Sequence, residues 1–260
     1  MRIALGVEYD GSHFCGWQSQ PGGCGVQDAL ERALQVLAGH DVRVTAAGRT
    51  DTGVHALSQV VHFDTDTERP MTAWVRGVNA HMPGWVRVLW AQHVDARFNA
   101  RFDAHSRRYQ YILVNQAVAP AVLAGKVGWF HLPLDVHAMQ QAAEQLLGEH
   151  DFSAFRAAEC QAKSPVRTLT EASLARQGNS ITFSFSANAF LHHQVRNMVG
   201  MLVYVGKGKL QANAVQMLLS ERDRRLSPPT FAPDGLYLAG VGYDAHWGLP
   251  CTTRSVNLSL

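Results

Sequence analysis

Val42-Arg43-Val44-Thr45-Ala46-Ala47-Gly48-Arg49-Thr50-Asp51-Thr52-Gly53-Val54-His55-Ala56-Leu57-Ser58-Gln59-Val60-Val61-His62-Phe63 reads as two strands joined by a polar loop. The β-branched run from Val42 to Thr45 and the run from Ser58 to Phe63 have strand composition, and an antiparallel pairing is expected between them. Gly48 to His55 packs two glycines, an arginine, a carboxylate and a histidine into the connection. Glycine lets a backbone turn sharply and lets a ligand come close, so Asp51 between Gly48 and Gly53 is expected at a loop apex. Arg49, two residues away, would favour the ionised carboxylate in a partly buried cleft. The pattern alone leaves two readings open: a site loop, or an ordinary turn in which Asp51 bonds its own backbone.

Working outward, Ile3, Leu5, Val7 and Tyr9 alternate with Ala4, Gly6 and Glu8, the signature of a half-buried strand that Asp10-Gly11-Ser12 ends. Phe14 to Gly25 is glycine-rich loop. Val26, Ala29, Leu30, Ala33, Leu34 and Leu37 recur at helical spacing until Gly39, a natural stop. A second helix is expected after Pro70, burying Met71, Trp74, Val75 and Val78, before a strand from Trp85 to Trp90. The order is β-α-β-β-α-β.

That order recurs from Arg107. A strand to Val114 is followed by a helix from Val136 to Leu147, with Asp135 as N-cap and Gly148 beyond its end. Strands from Leu169 to Ala175 and Ile181 to Ser186 flank the turn at Gln177-Gly178-Asn179. A helix through Val195, Met198, Val199 and Leu202 precedes a last strand from Leu236 to Tyr243. The expectation is an α+β fold of two ferredoxin-like halves with mainly antiparallel sheets, residues 1–103 and 104–245, and a tail of 246–260. Related by a pseudo-twofold axis, such halves would place a binding cleft between them.

Composition narrows the function classes. At 260 residues and 47% hydrophobic content, the chain can bury a real core. No run of about 18 apolar residues and no signal-peptide pattern stands in it, so a cytoplasmic protein without a membrane partner is expected. Cys15, Cys24, Cys160 and Cys251 include no C-x-x-C pair and are expected as free thiols. The net charge of +2 does not by itself suggest nucleic acid. Local clusters do bear on it: Arg97, Arg101, Arg107 and Arg108, then Arg222, Arg224 and Arg225, read either as phosphate contacts or as a solvated face. His192-His193 invites a metal reading, but adjacent residues point about 100° apart on a helix and no carboxylate stands at i+4, so no metal is expected. Gly206-Lys207-Gly208-Lys209 lacks nucleotide-loop spacing and suits a helix C-terminus.

Gly48-Arg49-Thr50-Asp51-x-Gly53-Val54-His55 resembles the signature of the tRNA pseudouridine synthase A family. Tyr9-Asp10-Gly11-x-x-x-x-Gly16-Trp17-Gln18, Phe98-Asn99-Ala100-Arg101-Phe102, Arg107-x-Tyr109 and Phe190-Leu191-x-x-x-x-Arg196-x-Met198-x-Gly200 are similar to further motifs of that family. The matches run from Tyr9 to about Tyr243. Thr52, Asn99 and Gln194 depart from the residues most frequent at their positions.

The resemblance implies isomerisation of uridine to pseudouridine at positions 38, 39 and 40 of the tRNA anticodon arm. Two such halves with the active site in their cleft, and a homodimer, are implied with it. Asp51 would be the nucleophile, Arg196 the arginine paired with it, and Arg49 a residue filling the gap left by a flipped nucleotide. Tyr109 would stack on the uracil, Phe190 would line the base pocket, and Arg101 would contact phosphate. Without the resemblance Tyr109 reads as well as a core or cross-strand aromatic, and Phe190 as core. No cofactor is called for, because the bonds before and after are similar and nothing is oxidised. Two other classes stay open: an RNA-binding module without catalysis, for which RNP-type aromatic motifs are missing, and a carboxylate-using glycosidase, for which Asp51 has no visible acidic partner.

Overall fold

β1 (Arg2–Tyr9) is the spine of the first sheet, because Ile3, Ala4, Leu5 and Val7 are fully buried and both edges of the strand are paired. The structure is a computed structural model in which residues 1–250 and 252–256 are described. It divides into two units, Met1–Ser106 with Tyr237–Val256, and Arg107–Leu236.

In the first unit, α1 (Val26–Ala38), β2 (Thr45–Ala46), β3 (His55–Asp64), α2 (Met71–Ala80) and β4 (Val86–Val94) follow β1. β4 and β3 pair antiparallel with β1 on either side, and β2 pairs antiparallel with β3. This is the order of a ferredoxin-like split motif. α1 buries the six apolar positions read from its period. It ends at Gly39, whose φ of 74° places it in the left-handed region and whose N–H bonds Gln35 O. In β1, Gly6 is required by packing: a Cβ there would stand 2.1 Å from Trp90 Nε1.

Three expectations for this unit are corrected. Val42 to Thr45 is not a strand; only Thr45–Ala46 pairs, because the Val44 N–H is taken at 2.9 Å by the Glu31 carboxylate. In α2, Trp74 and Val78 are buried but Met71 and Val75 are only half-buried. Trp85 precedes β4, 45% exposed and stacked on His13.

A fourth correction concerns thiols. Cys15 and Cys24, expected to be free, form a disulfide with Cα atoms 5.5 Å apart. The glycine-rich loop folds back so that Cys15 N–H donates to Cys24 O at 3.0 Å. Cys160 is a free thiol, and Cys251 lies outside the described residues.

The second unit contains β5 (Ser106–Asn115, whose first residue falls in the first unit), β6 (Gly128–Phe130), α3 (Val136–Glu144), β7 (Gly148–Asp151), β8 (Val166–Gln177), β9 (Ser180–Ala187), α4 (Gln194–Gly206) and α5 (Ala214–Glu221). β5, β9, β8 and β7 are antiparallel neighbours in that order, and β6 lies parallel to β5. Asp135 caps α3 by accepting from Ala138 N, as its sequence suggests, but the helix ends at Glu144. Gly148, at φ 95°, opens β7 instead.

β10 (Leu236–Gly242), expected to close the second half, lies almost wholly in the first unit, running parallel to β3 with Tyr237 opposite His55. Thr252 and Arg254 of the tail are tied there too, as Val241 N–H donates to Thr252 O and Arg254 N–H to Ala239 O. Among the described residues no helix is long and apolar enough to cross a membrane.

Candidate active site

The Asp51 loop leaves β2 and re-enters the sheet at β3, and its backbone is tied at each flank. Ala47 N–H donates to Val60 O at 2.8 Å, and the Gln59 amide donates to Gly48 O at 2.8 Å. Trp17 N–H reaches Thr50 O at 3.0 Å, and Val54 N–H closes a turn onto Asp51 O at 3.1 Å. Gly53 lies at φ 80°, which L side chains rarely adopt, so glycine is what lets the chain turn there. Gly16, at φ 100°, serves close approach, since a Cβ on it would sit 2.9 Å from Thr50 O.

Thr50 is held by its side chain as well. Its Oγ1 lies 2.8 Å from Tyr9 Oη, and both residues are buried. Burial pushes the Tyr9 phenol far above its ordinary value, so the hydroxyl stays protonated. Beyond the loop, Gly11 N–H donates to His55 Nδ1 at 3.0 Å, and His55 stacks on Tyr237. Asp51 itself is half-exposed and Arg49 exposed. Arg101 stands exposed on a turn that Asn99 caps by accepting from the N–H groups of Arg101 and Phe102, and its guanidinium is 5.6 Å from the Phe102 ring.

In the second unit, β5 carries Tyr109 and Tyr111 on one face, both buried. Phe190 is half-buried and meets Tyr109 edge to face. Arg107 reaches back along the sheet to donate to Asn188 O at 3.0 Å. Arg108, on the other face, binds Glu171 through two bonds of 2.8 and 2.9 Å. That hydrogen-bonded guanidinium holds the Glu171 carboxyl below its ordinary range.

Arg196, in the first turn of α4, is half-buried and donates through Nε to Phe231 O at 2.9 Å. Phe231 N–H returns a bond to Arg196 O, so the two segments clasp each other. Gly200 permits this approach, since a Cβ there would lie 2.4 Å from Pro229 O. Gln194, the first residue of α4, accepts from Leu191 N at 2.8 Å and so holds the segment that leads into the helix. The paired histidines are not on the helix as expected: His193 is its N-cap at φ 62° and His192 precedes it, their ring centroids 4.0 Å apart.

The arginine clusters divide by environment. Arg97 and Arg225 are bound by Asp95 and Asp223. Arg224 donates to Ser227 O, Pro228 O, Asn197 Oδ1 and Thr230 Oγ1, which makes it a strut of the 223–230 loop. Sequence reading also passed over Tyr9, Thr50, Gln59 and Asn197. Their contacts join residues far apart in the chain, and the available signal was only that Tyr9 and Thr50 fall inside quoted motifs.

A family model described as tRNA pseudouridine synthase matches residues 6–103 and 142–244. The tRNA pseudouridine synthase A of Methylobacillus flagellatus is 68% identical over 260 residues, covering 100% of each chain. That of Dechloromonas aromatica is 59% identical over 250 residues, 96% of this chain and 95% of the relative. That of Chromobacterium violaceum is 58% identical over 261 residues, covering 100% of each.

Proposed function

We propose, since this chain belongs to the tRNA pseudouridine synthase family, that it isomerises uridine to pseudouridine in tRNA, at positions 38, 39 and 40 of the anticodon arm. The observation that carries the reading is end-to-end identity of 68% with a relative so named, with the carboxylate-bearing motif of the Asp51 loop intact.

The reaction sets the roles. Uracil must leave ribose C1′ through nitrogen, rotate, and return through carbon, with loss of the C5 proton. Asp51 is the nucleophile: its carboxylate bonds to C1′ as the N1–C1′ bond breaks, or to the uracil ring before that bond breaks, and it is released as or after C5 bonds to C1′, with the C5 proton lost and N1 protonated. Arg196 takes the role of the paired arginine that the family resemblance implies. Tyr109 offers its ring to the extruded base and Phe190 lines the pocket. Arg49 fills the place of the flipped nucleotide, and Arg101 contacts phosphate. The enzyme works in the cytoplasm as a homodimer, without a metal or organic cofactor.

A tRNA transcript with tritium at uracil C5 tests the reading. Wild type is expected to release tritium and Asp51→Ala to release none. Binding without release by wild type would point to a non-catalytic module, and free uracil to a glycosidase. Either result would overturn the proposal.

A further inference from the structure

We propose that Tyr9 and Thr50 are positioning residues for Asp51, their buried hydroxyl pair fixing the backbone from which the carboxylate projects. The inference rests on the reading of Asp51 as nucleophile. Thr50 immediately precedes Asp51, and it is held from two directions: its Oγ1 lies 2.8 Å from Tyr9 Oη, and its carbonyl accepts from Trp17 N at 3.0 Å. Tyr9 is 4% exposed and Thr50 7%, so water does not replace either hydroxyl easily. The phenol belongs to the last residue of β1, whose neighbours in the sheet are β3 and β4. The Asp51 loop is thereby referred to a buried central strand of its unit rather than to solvent.

The aim of the Asp51 carboxylate follows the backbone torsions of the loop that carries it, and Thr50 sets those torsions from the adjoining position. Loss of the hydroxyl pair frees Thr50 to rotate, and a displacement of about 1 Å at a reacting group costs on the order of a hundredfold in rate. Both residues are buried, so binding is untouched to first order. A group that acts only on the transition-state geometry lowers kcat and leaves KM alone.

The test uses Tyr9→Phe, Thr50→Val, Thr50→Ser and the double variant Tyr9→Phe/Thr50→Val in the full chain, with tRNA substrate. The expected result is a fall of about tenfold or more in the single-turnover rate for Tyr9→Phe and Thr50→Val, with KM within about threefold. Thr50→Ser, which keeps the hydroxyl, recovers most of the rate. The double variant is no slower than the worse single one, because the same contact has been removed once. Rates within about twofold of wild type for both single variants, additive losses in the double, or a change in KM alone would overturn the inference. Asp51→Ala, run alongside, separates the two claims. Full activity in that variant would refute the nucleophile, whereas an inactive Asp51→Ala beside unimpaired hydroxyl variants refutes only the positioning role.

Discussion

The ring of Phe190 stands edge-on to that of Tyr109, centroids 5.2 Å apart and planes at 89°. Such pairs contribute ~0.5–1.5 kcal/mol beyond their buried area. If Tyr109 is the platform for the base, Phe190 fixes its tilt. Phe190→Ala is therefore expected to lower kcat/KM by roughly 2- to 12-fold, and Phe190→Leu by less because it keeps apolar volume. Unchanged steady-state kinetics in Phe190→Ala would detach Phe190 from the pocket.

Arg224 and Arg101 predict opposite behaviour on RNA. Arg224 is spent on two carbonyls and two side chains of its own unit, so Arg224→Ala should destabilise the protein by about 1.5–3 kcal/mol and leave the salt dependence of tRNA binding as it was. Arg101→Ala should reduce the slope of log affinity against log salt by about one. Binding isotherms at several salt concentrations check both, and a flattened slope for Arg224→Ala contradicts the assignment.

Much of this architecture was legible in the chain because it rests on period. The six apolar positions from Val26 to Leu37 give α1, and the alternation from Ile181 to Ser186 gives β9, since each needs only local sequence and a buried face. β6 and β7 are three and four residues long, too short for any period to register. α5 was missed because Met217 and its neighbours leave a face in solvent, weakening the apolar pattern. Val42 to Thr45 misled because a buried β-branched run looks the same whether its N–H groups meet a strand or, as at Val44, the Glu31 carboxylate. Asp51, Tyr109 and Arg196 were singled out by motif. The Tyr9–Thr50 contact and the Cys15–Cys24 bridge were not, because both depend on how loops fold back.

That bridge predicts a thiol count. The native protein, unfolded without reductant, should titrate two fewer thiols than after reduction. Closing a loop of this size stabilises by about 2–3 kcal/mol in the chain-entropy account, so Cys15→Ser/Cys24→Ser should unfold at lower urea. Four reactive thiols before reduction would contradict the pairing.

His62 predicts an acid limb to stability. It is buried, and its Nδ1 accepts from Ala100 N–H at 3.0 Å, which requires the neutral ring. Burial, and after it the charge of Arg2, lowers its pKa from 6.5 to about 4. Between those values the unfolded chain binds a proton that the folded one does not. Stability is therefore fully present above pH 6.5 and falls as pH drops towards 4. His62→Asn, whose carbonyl can replace Nδ1 as acceptor, should show a shallower loss between pH 7 and 5 in urea unfolding. An equal loss in both proteins would show that His62 does not set the limb.

The central claim is that the Asp51 carboxylate carries the chemistry. Single-turnover conversion of tRNA with Asp51→Ala in excess, quantified as pseudouridine in the nucleoside digest alongside tRNA affinity and melting temperature, tests it most directly. No pseudouridine is expected over times in which wild type reaches completion, with affinity and melting temperature preserved. Conversion within about tenfold of the wild-type rate, ~1.4 kcal/mol in the barrier, would contradict it.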